Sequence, residues 1–260
     1  PQLERFDVYP LGSQSPAHAL RQDLVTVAHA GGRYNGTTYT NSLQALQANA
    51  ARFNVFELDF EWTSDRRLIG LHDWDTIFER LYGFPADEPL AYRELRQLES
   101  PLGVTPLDLD QLRDFLWQNP RAVIVTDVKR DNIEALQKIA EHIDGHQRRI
   151  VPQLYHPDEL GAVLEQGYRN VIWTLYRYPG NRDSDRVVMQ ARDMRQRHGD
   201  VLVALAMPVV IAEDGLAARL SEYGIASYAH TVNSCSDYHR LRELGVDAIY
   251  SDDLAAGQCY

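Results

Sequence analysis

The sequence predicts an α/β protein, a closed (β/α)8 TIM barrel with a β-hairpin over its C-terminal mouth after strand 2. Three observations predict it. Short apolar runs begin near positions 24, 55, 122, 150, 170, 201, 226 and 248, and each but the last is followed by a stretch of helical periodicity. Regular alternation of strand and helix favours a parallel sheet, and eight such units favour closure. The chain has 260 residues, which suits a single barrel domain of about 250. An open doubly wound sheet would instead carry a GxGxxG turn after its first strand, and AHAGGRYNG at 28–36 lacks that spacing.

Residues 1–23 contain Pro10, Gly12 and Pro16, then a short helical candidate at 17–22, and read as an arm packed on one end of the core. The first strand, 24–29 (LVTVAH), breaks at Gly31 and Gly32, which permit tight backbone. Leucines and alanines at 43, 45, 46, 48 and 50 predict a helix over 41–51, capped by Asn41 or Ser42. Along the strand that starts at Val55, Glu57 and Asp59 fall on one face and Phe56, Leu58 and Phe60 on the other. Only about eight residues separate Asp59 from Leu68, too few for a parallel crossover, so 68–71 folds back as a hairpin. A two-residue turn at Asp65-Arg66 would set His72 across from Asp59. Residues 74–104 are irregular and rich in aromatic side chains, and read as an insertion or lid within the single domain. Beyond them, helices at 107–118, 132–143, 157–166, 184–197, 212–223 and 236–244 alternate with the remaining strands.

Catalytic residues of such barrels sit at the C-terminal ends of strands. That rule selects His29 from the first strand, Glu57 and Asp59 from the second, and Asp127 with Lys129 from the third. Carboxylates crowded into one volume repel and lose hydration, so burying them calls for a cation. Glu57, Asp59 and Asp127 form an all-oxygen set suited to a hard divalent cation, Mg2+ or Ca2+. Lys129 lies on the strand face of Asp127, to bind a phosphate oxygen or neutralise a carboxylate. His29 and His72 would flank the site with imidazoles suited to proton transfer near neutrality. His230, at a strand end near the mouth, reads equally as a substrate contact or a core histidine.

The net charge of −11, from 26 basic and 37 acidic residues, argues against nucleic-acid or anionic-membrane partners. A small phosphodiester is compatible if a metal and a few basic groups reverse the field locally. No run reaches the roughly 18 apolar residues of a transmembrane segment. Cys235 and Cys259 are too few for a disulfide framework or a thiolate zinc site, but could pair. The sequence starts at Pro1, so either a leader was removed, implying a periplasmic or secreted protein, or the chain was trimmed.

The segments HAGG (29–32), NSLQAL (41–46), FELDFEWTSD (56–65), LIGLHD (68–73), TPLDLDQL (105–112), TDVK (126–129) and GVDAIYSD (245–252) together resemble the glycerophosphodiester phosphodiesterase family. The resemblance implies a TIM barrel in which the ExD pair, here Glu57 and Asp59, holds a divalent metal and two histidines, here His29 and His72, act as acid and base. Three positions depart from the family pattern. Ala30 stands where the family has a phosphate-gripping arginine, leaving Lys129 or Arg33 to make that contact. Asp127 replaces a glutamate ligand, and Asp127 followed by Lys129 is similar to the related sphingomyelinase D and phospholipase D toxins. His230 takes the place of a tryptophan. The function implied is metal-dependent hydrolysis of a glycerophosphodiester or related phospholipid-derived diester. The alternatives are a phospholipase D-like enzyme forming a cyclic phosphate, a non-catalytic barrel binding a phosphorylated ligand, and a metal-free glycosidase using Glu57 with a second carboxylate.

Overall fold

In a computed structural model of the protein, which describes Leu20 and residues 26–259, the barrel is present and closed. Its eight parallel strands are β1 (Thr26–Ala28), β2 (Val55–Trp62), β5 (Val123–Val128), β6 (Ile150–Leu154), β7 (Val171–Thr174), β8 (Leu202–Pro208), β9 (Ala226–His230) and β10 (Ala248–Ser251). They pair in that order, and β1 closes the ring by pairing with both β10 and β2. The arm expected at 1–23, and its helix at 17–22, lie outside the described residues except for Leu20.

Period-two alternation sorts the side chains into two layers. Val55, Val123, Val125, Val151, Ile172 and Tyr228 fill the barrel interior. Phe56, Leu58, Ile124, Leu154, Trp173 and Leu205 face the surrounding helices. That outer packing includes α1 (Leu43–Asn49), whose Ser42 side chain accepts from the Ala45 amide as an N-cap. The other outer helices are α4 (Leu109–Gln118), α5 (Asn132–His142), α6 (Leu160–Glu165), α7 (Ser184–His198), α8 (Val209–Glu213), α9 (Leu216–Ser221) and α10 (Cys235–Glu243). The helix expected over 212–223 is two, broken at Gly215, which takes a positive φ.

The hairpin after β2 exists, but its register differs from the expected one. Phe60 pairs with Gly70, Glu61 with Ile69 and Trp62 with Leu68 of β3 (Leu68–Gly70). The Leu71 amide, not His72, meets the Asp59 carbonyl, at 3.1 Å. The turn holds three residues because Arg66 adopts a left-handed φ of +60° while its amide closes on the Thr63 carbonyl. A three-residue loop ending in such a residue is a standard hairpin solution, and it shifts the pairing by one.

The 74–104 stretch is more ordered than its composition suggested. It contains α2 (Thr76–Tyr82) and α3 (Tyr92–Leu95) and buries its own apolar cluster around Phe78, Leu81 and Leu95. Residues 107–108, expected to open a helix, form β4 (Leu107–Asp108) on the edge of β3. Asp108 then caps α4 by accepting from the Gln111 amide. Cys235 and Cys259 are joined by a disulfide with a Cα–Cα distance of 5.3 Å. It fastens the stretch after β10 to the start of α10.

Gly70 marks the tightest contact between hairpin and barrel mouth. A Cβ there would lie 2.4 Å from the Asn41 carbonyl oxygen, a backbone atom that cannot swing away. Gly70→Ala is therefore expected to lower stability by about 1–3 kcal/mol, the usual range for overpacking. Thermal denaturation of the variant checks this, and an unchanged melting temperature would contradict it.

Candidate metal and catalytic site

At the C-terminal ends of the strands the inward-facing residues change from apolar to ionisable. Asp59 and Asp127 are direct register partners across the β2–β5 ladder, so the sheet itself brings their carboxylates together. Glu57 joins from the same face of β2. One oxygen from each of the three lies within 4.8 Å of the others, and all three residues are buried. Two full charges at that spacing repel by roughly 3–4 kcal/mol at an effective dielectric constant near 20. The Glu57 carboxyl responds: burial first, then the Asp59 charge, pushes it up to about 8.

Asp59 titrates the other way. Burial works to raise its carboxyl, but Lys129, followed by the two histidines, holds it below the usual aspartate range. The Lys129 ammonium lies 2.6 Å from Asp59 and 3.6 Å from Asp127. Although burial opposes its charge, Asp59 and Asp127 keep that ammonium protonated. Asn41 clamps Asp59 from two directions, its Nδ2 donating to Oδ2 at 2.9 Å while its Oδ1 accepts from the Asp59 amide at 2.9 Å. Tyr176 donates to Asp127 Oδ2 at 2.7 Å, and Tyr155 makes a second, shorter bond to Oδ1.

The loops around the mouth take conformations that side chains resist. Ala30, Tyr39 and Asn41 all have positive φ, at a cost of roughly 1 kcal/mol each. Ala30 thereby aims its amide at Glu57 Oε2, 2.8 Å away. Gly32 permits the same turn, since a Cβ there would meet the Asn49 side chain at 2.8 Å, and Asn49 ties the loop by donating to the Gly31 and Arg33 carbonyls.

His29 Nδ1 bonds Asp252 at 2.9 Å, and Asn233 holds the other Asp252 oxygen at 2.7 Å. Burial disfavours the imidazolium most strongly, yet the Asp252 hydrogen bond and the charges of Glu57 and Asp59 outweigh it and hold His29 at about 9. His72 Nδ1 meets Asp73 at 2.5 Å. The Tyr39 ring lies edge-on to both, with centroids 4.5 Å from His29 and 4.9 Å from His72. His230 is half-buried, its ring against Tyr176 and Tyr250, and desolvation, with His29 nearby, pulls its imidazole down to about 4. It borders a small cavity of about 40 Å3, walled also by Glu57, Asp127, Thr174, Tyr176 and Tyr250. Thr174 Oγ1, His230 Nε2 and Tyr250 Oη have no hydrogen-bond partner among the described residues.

Seven of the eight residues selected from the sequence thus collect at one mouth. The eighth, Arg33, is engaged elsewhere: its guanidinium grips Asp253 through two bonds, at 2.5 and 2.8 Å, and a third reaches the Gly36 carbonyl. Tyr39 carries no signal in the sequence, Asn41 signals only a possible helix cap, and aromatic residues at strand ends such as Tyr155 and Tyr176 do not reveal that they bond Asp127. Asp252, which nothing periodic singles out, is the carboxylate that bonds His29.

Residues 114–256, more than half of the chain, match the glycerophosphoryl diester phosphodiesterase family. Among solved structures the chain is similar to a glycerophosphodiester phosphodiesterase from Parabacteroides distasonis, with a TM-score of 0.66 and 16% identity, covering 89% of this chain and 94% of that one. An enzyme so described from Thermotoga maritima gives a TM-score of 0.62 and 18% identity over 89% and 96% of the two chains. A phosphodiesterase from Oleispira antarctica, in complex with the product sn-glycerol-3-phosphate, gives 0.65 and 16% over 91% and 95%. At these identities the likeness speaks to the fold. No curated protein sequence matches the chain significantly.

Replacing Asp252 by asparagine keeps a hydrogen-bonding group at His29 but removes the charge. The His29 imidazole is then expected to fall from about 9 toward its ordinary value of 6.5. An NMR titration of the ring protons measures this, and a titration midpoint identical to wild type would contradict the role given to Asp252.

Proposed function

The chain belongs to the glycerophosphoryl diester phosphodiesterase family, and from that premise we propose that it hydrolyses a small glycerophosphodiester, or a related lipid-derived diester, with a divalent cation and a histidine pair. The observation that carries this reading is the convergence of Glu57, Asp59 and Asp127 within 4.8 Å, beside two histidines that each bond a carboxylate through Nδ1.

The donor set fits a metal. Three buried carboxylates offer only oxygen, the preference of Mg2+ and Ca2+. The raised Glu57 carboxyl marks a charge deficit that a cation would fill. Such an ion, when bound, polarises a non-bridging phosphoryl oxygen. Lys129 is placed to hold a second phosphoryl oxygen while keeping Asp59 ionised. His29 carries its proton at neutral pH, with Nδ1 committed to Asp252, so Nε2 delivers a proton to the departing alkoxide. His72, with Nδ1 on Asp73, takes the proton of the attacking water or neighbouring substrate hydroxyl. The phosphorus–oxygen bond to the nucleophile forms as the one to the leaving alcohol breaks. Water as nucleophile yields an open phosphomonoester, and a substrate hydroxyl yields a cyclic one.

The cavity beside Glu57 and Asp127 supports a small polar alcohol. Its 40 Å3 accommodates a few water-sized groups, since one water needs ~10–15 Å3 by the same measure. The unpaired Thr174, His230 and Tyr250 atoms supply hydrogen-bonding partners there, and buried polar atoms in folded proteins nearly always have one.

Dialysis against EDTA is expected to abolish hydrolysis of glycerophosphodiesters and of bis(p-nitrophenyl) phosphate, and added Mg2+ or Ca2+ to restore it. His29→Ala and His72→Ala are each expected to lower kcat by ~10²–10⁴. Chelator-resistant turnover, or full activity in either variant, would sink the corresponding role, and chromatography of the products separates open from cyclic phosphate.

Because the Glu57 carboxyl sits at about 8 in the metal-free protein, it holds a proton at pH 7 that a cation must displace. Affinity is therefore expected to rise with pH up to about 8, with proton release at pH 7 in calorimetric titrations run in buffers of different ionisation enthalpy. Binding without proton release at that pH would contradict a protonated Glu57 in the metal-free protein.

A further inference from the structure

His29 and His72 each have one hydrogen bond through Nδ1, to Asp252 and Asp73 respectively. One bond anchors Nδ1 but leaves the ring free to rock about that axis. Nε2, the atom that faces the reaction, then sweeps an arc. A second contact is needed to hold the ring plane, and both histidines find it in the same side chain. The Tyr39 ring stands nearly perpendicular to each, at interplanar angles of 83° and 84°.

Tyr39 is held there against its own backbone preference, at φ +57°. Strain of this kind persists where surrounding structure enforces it, and it collects at functional sites. Tyr39 also packs against the apolar cluster shared by the hairpin and the 74–104 insertion, which includes Leu71, Trp74 and Phe78. The insertion thus backs the ring, and the ring backs both imidazoles. No hydrogen bond of the Tyr39 hydroxyl is formed among the described residues, so the ring itself is the contacting group.

We propose that Tyr39 is a positioning residue whose ring, in edge contact with both His29 and His72, sets the orientation and spacing of the two imidazoles. The role rests on the acid–base reading of those histidines. It also gives the insertion a purpose, since loosening the insertion cluster would reach both proton-transfer groups through one side chain. In-line displacement requires acid and base on opposite sides of the reacting centre, and a shared spacer fixes their separation in a way that two independent hydrogen bonds do not.

The test compares Tyr39→Phe with Tyr39→Gly. Glycine adopts positive φ freely, so it deletes the ring while relieving the strain, and the fold is expected to survive. Tyr39→Gly should lower kcat by about 10²-fold with KM little changed, the scale of a small misplacement of catalytic groups. Tyr39→Phe should retain the wild-type kcat. In NMR spectra of the full chain the ring-proton signals of both His29 and His72 should move and broaden in Tyr39→Gly and stay in place in Tyr39→Phe. If both imidazole signals are unmoved in the glycine variant, or phenylalanine loses as much as glycine, the positioning role is overturned. His29→Ala and His72→Ala, measured alongside, separate the two readings. If they remain active the acid–base assignment fails, while inactive histidine variants beside a fully active Tyr39→Gly refute the positioning role alone.

Discussion

Three carboxylates buried within 4.8 Å of one another are the constraint on which the mouth of this barrel depends. Left alone they would repel by several kcal/mol and forfeit hydration, so the surrounding side chains answer that cost. Lys129 and a protonated His29 supply two positive charges. Asn41, Tyr176, Tyr155 and the Ala30 amide supply hydrogen bonds, each from a different segment. The remaining negative charge is met in the metal-free protein by the proton on Glu57. A cation in its place would complete the same balance, which is why the site reads as metal-binding even from its protein atoms alone.

The scaffold makes this possible by separating the work of the two ends of each strand. Below the mouth, valines and isoleucines close the interior and provide stability. Above them the same inward face carries Glu57, Asp59, Asp127, Gln153, Thr174 and His230. Adjacent strands in register turn linear spacing into a cluster, as the Asp59–Asp127 pairing shows. Among the described residues, non-glycine residues of positive φ fall in the loops above, where Ala30, Tyr39 and Asn41 aim groups that a relaxed turn would point elsewhere.

Most of the barrel was legible because apolar runs of strand length, alternating with helices, leave little choice of topology. The observed starts of β2, β6, β9 and β10 coincide with those read from the chain. The facing of Glu57 and Asp59 followed from period two alone. The hairpin register did not, because it hangs on the left-handed φ of Arg66, a conformation that an arginine does not advertise. The roles of Tyr39 and Asn41 were hidden for a related reason: both residues lie in an aperiodic loop whose path is set by contacts with Ala30 and Asp59, distant in sequence. Arg33 looked suited to phosphate by charge and proximity to His29, but Asp253 competes for its guanidinium, and Asp253 is 220 residues away. The short helices of the insertion escaped because their core is made with the hairpin residues Ile69 and Leu71 and the insertion itself, contacts that no local periodicity announces.

The central claim is that the three carboxylates hold one cation beside the two histidines. Diffraction from crystals soaked in Mn2+, recorded at a wavelength that reveals the metal by anomalous scattering, tests it most directly. The account predicts a single strong peak within about 2.0–2.6 Å of oxygens of Glu57, Asp59 and Asp127. A peak elsewhere, or none at the cluster while activity in solution persists, would contradict it.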